Sequence, residues 1–334
     1  MDFSLDFRRY SLPFRAPVRT SRGSWTVREG LFVRVGRPDG SFGFGEAAPV
    51  PSFGRETVDE AEAFCRSLGK GFGDDVLSHV PTNLPTLRNA VDCALGGTAG
   101  AARHRSLGVA ALLPSGRAAL VDAPPKADAG FRVFKWKVGV GAADDERAIL
   151  DDLLGVLPGG SRIRIDANGA WDRRTAEKWL GFASERPVEF VEQPIAPDSR
   201  GAEDTLLGLA ADHPVPVALD ESLADGSDIG RWLGLGWKGF FIVKPSLVGD
   251  VRGALAQMAE AHARIVFSSA LETALGAHAG LRLAFAWPGK MSALGFGVWP
   301  LFADPRFDGP AAAPFIRAED VDRINPEDLW NAAS

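Results

Sequence analysis

The apolar and polar positions of the first hundred residues fall into short alternating runs. L-D-F-R-R-Y (5–10), L-F-V-R-V-G (31–36) and S-F-G-F-G-E (41–46) read as antiparallel strands with one buried face, and P-D-G (38–40) supplies a turn between the last two. Helix-like stretches follow near 56–68 and 85–103, which predicts a small α+β unit. From about residue 109 the rhythm changes, and β-rich runs alternate with helical stretches of ~10 to 15 residues. The runs are V-A-A-L-L-P (109–114), F-R-V-F-K-W-K-V (131–138), R-I-R-I-D-A (162–167), V-E-F-V-E-Q-P (188–194), V-P-V-A-L-D-E (215–221), G-F-F-I-V-K-P (239–245), A-R-I-V-F-S-S (263–269) and M-S-A-L-G-F-G (291–297). Eight strands in βα alternation predict an α/β fold of the (β/α)₈ barrel type, so the chain divides near residue 105 into units 1–105 and 106–307. An open doubly wound sheet is the alternative, but no G-x-G-x-x-G opens a helix and no G-x-x-x-x-G-K-[ST] is present.

Within the second barrel run, F-K-W-K sets Lys135 and Lys137 two residues apart. In a strand both point to one face, while Phe134, Trp136 and Val138 take the other. The run is too apolar for a solvated edge, so the paired cations need a reason. Each of the six middle strands ends in a residue able to do chemistry: Lys137, Asp166, Glu192, Asp220, Lys244 and Ser269, spaced by 29, 26, 28, 24 and 25 positions. One such step is one βα unit, and the strand C-termini of a barrel open onto a single mouth where these side chains would meet. Asp166, Glu192 and Asp220 would repel one another in a partly dry site unless a divalent cation neutralised them. Oxygen ligands without His or Cys point to Mg²⁺, with Mn²⁺ as a substitute. Lys135 and Lys137 flank the acids on one side and Lys244 on the other. A neighbouring ammonium and a bound dication lower a lysine's pKa, so one of the pair could act as base while the other stabilises charge. Arg164, on the strand face of Asp166, reads either as a partner of the metal carboxylates, the favoured expectation, or as a barrel-bottom salt bridge. Asn168, in D-A-N-G-A-W, reads as a turn residue or a site contact. A Schiff-base aldolase on Lys244 would also fit V-K-P, but it leaves the three acids without a purpose.

Composition removes other classes. The 334 residues carry 37 Lys and Arg against 43 Asp and Glu, a net charge of −6 with no basic run, which argues against a nucleic-acid partner. No window approaches the ~18 uninterrupted apolar residues of a membrane span, and M-D-F-S-L-D-F-R-R-Y has no apolar signal core, so a cytoplasmic chain is expected. Cys65 and Cys93 are too few for a metal site or disulfide framework and read as small core residues. No feature of the sequence sets an oligomeric state.

K-W-K (135–137), D-A-N-G-A-W (166–171), V-E-Q-P (191–194), L-D-E-S (219–222) and V-K-P (243–245) together resemble the ordered motif series of the enolase superfamily, in its muconate-lactonizing subgroup. G-F-G-E-A-A-P (43–49), S-S-A-L-E-T (268–273) and A-L-G-F-G-V-W-P-L-F-A-D (293–304) are most similar to its o-succinylbenzoate synthase family of menaquinone biosynthesis. The resemblance implies an enolase-like barrel with a modified last helix. It also implies that the α+β unit caps the barrel, completed by the segment from about 308 to 334, with loops around Thr20–Trp25 and Val50–Arg55 closing over the mouth. The implied substrate is a small carboxylate, 2-succinyl-6-hydroxy-2,4-cyclohexadiene-1-carboxylate, dehydrated syn to o-succinylbenzoate. Lys137 would be base and then acid, Lys135 and Lys244 would stabilise charge, and Asp166, Glu192 and Asp220 would hold Mg²⁺. Ser268, Ser269 and Gly295 fall where the family binds the succinyl tail, partly through backbone N–H groups, although small residues also let strand ends approach closely. Arg164 and Asn168 join them as expected substrate contacts. Ala110 stands where the family often has asparagine, and Thr273 where it often has serine. N-acylamino acid racemases and dipeptide epimerases share the fold, metal and two lysines. Epimerases carry D-x-D at the end of the eighth strand, where this chain reads A-L-G-F-G-V-W-P, so racemisation is the nearer alternative.

Overall fold

The computed structural model describes residues 3–20, 23–51, 53–54, 56–68, 72–73, 76–97 and 100–333. The N-terminal unit is an antiparallel sheet of β1 (Ser4–Thr20), β2 (Gly23–Gly36) and β3 (Phe42–Ala47), in that order. Its β1–β2 register runs from Ser4↔Gly36 to Thr20↔Gly23 and shifts between Pro13 and Val18, where proline cannot donate to the ladder. Helices α1 (Val58–Leu68), α2 (Val76–His79) and α3 (Pro85–Leu95) follow. Leu31, Val33 and Val35 meet Leu87, Ala90 and Val91 in the core between sheet and helices. The packing is close enough that a Cβ at Gly43 or Gly45 would lie 1.8 or 2.0 Å from the carbonyl oxygen of Ala94 or Ala90, which accounts for the G-F-G of this strand. The predicted helix over 85–103 stops at Leu95 instead. Gly96 adopts the left-handed conformation at φ 102, and the Gly97 N–H donates back to the Asp92 carbonyl, a stop signal stronger than the alanine-rich composition beyond it.

After β4 (Ser106–Gly108) come seven parallel strands in sequence order: β5 (Ala111–Leu113), β6 (Val133–Lys137), β7 (Arg162–Asp166), β8 (Val188–Glu192), β9 (Val217–Leu219), β10 (Phe240–Val243) and β11 (Arg264–Phe267). Helices α4 (Ala118–Asp128), α5 (Ala143–Val156), α6 (Arg173–Ser184), α7 (Ala202–Asp212), α8 (Gly226–Gly234), α9 (Val251–Glu260) and α10 (Ala274–Ala286) lie between and after them. The predicted eighth strand enters as a short closing segment. The Leu294 N–H donates to the Gly108 carbonyl, the Ala110 N–H donates to the Leu294 carbonyl, and the Gly295 N–H donates to the Phe267 carbonyl. These parallel bridges, Val109↔Leu294 and Ser268↔Gly295, close the ring and produce the predicted (β/α)₈-type barrel. In place of a regular eighth helix the chain makes a single 3₁₀ turn at Pro305–Phe307 and returns to the first unit through β12 (Phe315–Arg317), which pairs with β4. Helices α11 (Ala318–Asp322) and α12 (Pro326–Ala332) end the chain. Trp330 packs at a tilt against Phe44, with the Arg8 and Arg34 guanidinium groups 4.5 and 4.8 Å from its ring. Among the described residues no helix is long and apolar enough to cross a membrane.

Two-residue alternation sorts each barrel strand into shell and lumen. Phe134, Trp136, Ile163, Ile165, Phe241 and Val243 join the core shared with the helices. The lumen positions form three tiers. The lowest holds Arg162, Phe240 and Arg264; the middle holds Lys135, Arg164, Phe190, Ala218, Ile242 and Val266; the upper holds Lys137, Asp166, Glu192, Asp220, Lys244 and Ser268. Phe190, Ala218, Phe240, Ile242 and Val266 pack into a small dry cluster of their own, which plugs the barrel.

Candidate active site

The upper tier opens into a cavity of about 740 Å³. Trp25 and Phe53 from the N-terminal unit border it, so both predicted loops reach the mouth. Ser21, Arg22, Ser52 and Arg55 of those loops lie outside the described residues. The Lys244 Nζ stands 4.0 Å over the Phe53 ring.

Paired strands place the acids side by side, with Asp166 opposite Glu192 in the β7–β8 register and Asp220 one residue beyond the end of β9. The two lysines of K-W-K take different tiers and different partners. Lys135, from the middle tier, donates to Glu192 Oε1 at 2.6 Å and pairs with Asp166 Oδ2 at 3.0 Å. Lys137, one tier higher, lines the cavity and makes no hydrogen bond or ion pair among the described residues. Lys244 pairs with Asp220 Oδ1. Burial alone would lower the Lys135 pKa, but Asp166, Glu192 and Asp220 outweigh it and hold the group well above the ordinary lysine value. The acids that closely surround Lys135 thus favour its ammonium form. Burial, reinforced by Asp166 against the opposing pull of Lys135, raises Glu192 well above the usual carboxylate range.

Two residues quoted in the motifs carry roles that the motifs did not reveal. Gln193 is wholly buried at φ 36; its Oε1 accepts from the backbone N–H groups of Asp220 and Ser222, and its amide donates to Ser222 Oγ. It ties the end of β8 to the turn that carries Asp220. Glu221 also faces the cavity, because the strand ends at Leu219 and two-residue alternation no longer applies. Burial and then Asp220 push its carboxyl up to about 7. Asn168 is both turn residue and site residue: at φ 44 its N–H donates to Asp166 Oδ1, and its Nδ2 donates to Glu221 Oε1 at 3.0 Å.

Arg164, Ser268, Ser269 and Gly295, also expected at the site, have protein partners of their own. Arg164 does not pair with the upper acids. Its Nε donates to Glu189 Oε2 at 2.8 Å and its Nη1 to the Ala293 carbonyl, because β8 has an extra residue at Glu189, where the β7–β8 register shifts. The backbone N–H groups of Ser268, Ser269 and Gly295 are spent on the barrel, donating to the carbonyls of Val243, Gly295 and Phe267. A Cβ at Gly295 would lie 2.4 Å from Ser268 Oγ, so close chain approach accounts for this glycine.

The rim is held from the N-terminal unit by two residues to which the sequence reading gave no role. Arg28, fully buried on β2, donates to the carbonyls of Leu271 (3.0 Å), Pro49 (2.6 Å), Ala48 and Ala270, joining the chain before the second loop to the turn after β11. Glu46 accepts from the Tyr10 hydroxyl, from Thr273 Oγ1 at 2.6 Å and from the Gly276 N–H, so it caps α10 across the unit boundary.

Among the described residues no three acidic, His or Cys side chains are drawn together as a ready-made metal cage; Asp166 and Glu192 share Lys135 instead, and Asp220 holds Lys244. Yet five acids, Asp166, Glu192, Asp198, Asp220 and Glu221, line one cavity, and Glu221 Oε2 is buried without a partner. An all-oxygen donor set with negative charge to spare fits Mg²⁺.

Comparison with known proteins agrees with this geometry. Residues 119–314 match the family model described as enolase C-terminal domain-like, and residues 4–97 match the MenC N-terminal domain. The o-succinylbenzoate synthase of Thermosynechococcus vestitus is 38% identical over 298 residues, covering 87% of this chain and 91% of that protein. A hydrophobic dipeptide epimerase of Roseobacter litoralis is 29% identical, covering 67% of this chain and 70% of its own. A crystal structure of o-succinylbenzoate synthase from Thermosynechococcus elongatus, with Mg in its active site, superposes with a TM-score of 0.83 at 34% identity, covering 98% of this chain and 99% of that one. By these matches this chain belongs to the enolase superfamily, within its o-succinylbenzoate synthase family.

Proposed function

We propose that the chain dehydrates 2-succinyl-6-hydroxy-2,4-cyclohexadiene-1-carboxylate to o-succinylbenzoate, a cytoplasmic step of menaquinone biosynthesis. The observation that carries the mechanism is the isolation of Lys137. It is the one lumen lysine of the upper and middle tiers with no acid bound to it among the described residues, and it stands beside the acid row, four strands round the ring from Lys244. As the free amine, Lys137 takes the proton α to the substrate carboxylate, and the electron pair moves into that carboxylate as an enolate. The ring C–O bond then breaks, and the Lys137 ammonium returns its proton to the departing hydroxide. Water leaves, the amine is restored and the ring becomes aromatic. One residue serving both steps from one face gives a syn elimination.

Asp166, Glu192 and Asp220 would hold Mg²⁺, or Mn²⁺ in its place, which when bound supplies positive charge to the substrate carboxylate. Lys135, fixed as an ammonium beneath the acids, and Lys244, on the opposite side, stabilise the negative charge that develops. Asn168 Oδ1 and Arg164 Nη2 are buried without partners and border the cavity, which suits them to meet the substrate, and Ser268 and Ser269 line the same cavity. Residues 1–105 with 308–334 act as the cap and 106–307 as the catalytic barrel, with Trp25 and Phe53 excluding water over the mouth. Lysines on opposite sides of the ring also suit N-succinylamino acid racemisation, the second reading. Dipeptide epimerisation lacks its D-x-D, and a Lys244 Schiff base is disfavoured by the Asp220 ion pair, which engages the amine. The test is loss of substrate ultraviolet absorbance with protein and Mg²⁺, run beside racemisation of N-succinyl amino acids. Dehydration that stops with chelator and outpaces racemisation is expected; racemisation without dehydration would overturn the proposal.

A further inference from the structure

The opposite end of the barrel holds a second cavity, of about 1110 Å³, beneath the apolar plug. The alternation that sends Asp166 and Ser268 to the mouth sends Arg162 and Arg264, the first residues of β7 and β11, into the lumen at this end. These strands stand four positions apart in a ring of eight, so the two guanidinium groups flank the floor from opposite sides. Lys290, before the closing segment, adds a third cation at the rim, and His262 adds an imidazole. Arg186 is also present, but it is paired with Asp151 at 2.6 Å. Glu189 is the one acid lining the cavity among the described residues, and Arg164 already neutralises it from the tier above.

Arg162, Arg264 and Lys290 therefore carry charge that no ion pair among the described residues answers, in a chain whose net charge is −6. All three are exposed, and like charges lining one concavity add to a positive potential at its opening, which favours an anion there. The floor is suited to an organic body: Arg264 lies 3.9 Å over the Phe240 ring, and the Trp287 indole N–H is a buried donor with no acceptor. The volume is comparable with the ~300–1,000 Å³ of small-molecule sites. Guanidinium forks match phosphate and carboxylate oxygens two at a time. We infer that the bottom of the barrel is a second binding site, for a small organic anion bearing two or more phosphate or carboxylate groups.

The test is calorimetric titration of the Mg²⁺-loaded protein with fructose 1,6-bisphosphate and, separately, benzene-1,3,5-tricarboxylate. Saturable binding of at least one probe is expected, and which one binds separates phosphate from carboxylate recognition. Arg162→Ser/Arg264→Ser should weaken it about tenfold or more, the size expected for lost charge-assisted hydrogen bonds, while turnover at the mouth is unchanged. Lys137→Ala should leave probe binding as in wild type. Lys290→Ala, on the exposed turn, is the milder second variant, and weakening of about threefold is expected there. Absence of saturable binding by both probes, equal affinity in both basic variants, or loss of binding in Lys137→Ala, which would place the anion in the mouth, would each overturn the inference.

Discussion

The two ends of this barrel are built by the same alternation and end differently. At the mouth, Lys135 and Lys244 are met by Asp166, Glu192 and Asp220, and one lysine, Lys137, is left over among acids. At the bottom, Arg162, Arg264 and Lys290 surround a single acid that is already paired. Phe190, Phe240, Ile242 and their neighbours keep the two apart, with the Phe190 and Phe240 rings 4.8 Å from each other. The difference teaches that cations in a lumen are not alike. Where acids surround them they are held in ion pairs, and where the one acid is already paired they leave positive charge unanswered.

Several changes would break or sharpen that contrast. The largest effect is expected of Asp220→Ala, which removes an acid from the mouth and strands Lys244. Metal affinity, read by titration, should fall about 100-fold or more and turnover should vanish with it. Unchanged metal affinity would remove Asp220 from the ligand set. Arg28→Met should come next, because it leaves buried carbonyls at the mouth rim unanswered. A loss of ~4 kcal/mol in urea unfolding is expected, and a loss below ~1 kcal/mol would show that the rim does not depend on this clamp.

Glu272 separates the ends by pH. It accepts from the Ala270 N–H and Ser269 Oγ, yet burial, reinforced by Glu46, pushes its carboxyl up to about 7 from an ordinary 4.5. The folded chain therefore holds a proton that the unfolded chain has released. The stability this provides is full below pH 4.5 and is lost as pH rises through about 7. Glu272→Gln should flatten that decline by at most ~3 kcal/mol, measured as unfolding midpoints across the range, and an unchanged slope would contradict the assignment. The smallest effect on turnover belongs to the bottom of the barrel. Arg162→Ser/Arg264→Ser should keep kcat within about twofold, since the plug separates these residues from the reacting atoms, and a larger loss would mean that the two cavities communicate.

Much of this was legible in the sequence because both signals are periodic. The two-residue alternation marked the strands, and the βα spacing brought Lys137, Asp166, Glu192, Asp220 and Lys244 to one mouth. What escaped depends on places where a period stops or on partners far along the chain. Glu221 enters the cavity because β9 ends one residue before Asp220. Arg164 turns to Glu189 because a register shift in β8 alters the facing residue. Arg28 and Glu46 are single charges in an ordinary hairpin, and their partners lie more than two hundred positions away at Leu271 and Thr273. The eighth strand read weakly because it is little more than Leu294 and Gly295 bridging its neighbours.

The most direct test of the central claim is the turnover of Lys137→Ala at saturating Mg²⁺, measured alongside its metal affinity. If this unpaired lysine carries the proton both ways, kcat falls by ~10³-fold or more while metal binding stays near wild type. A variant that keeps its rate within about tenfold of wild type would contradict the account.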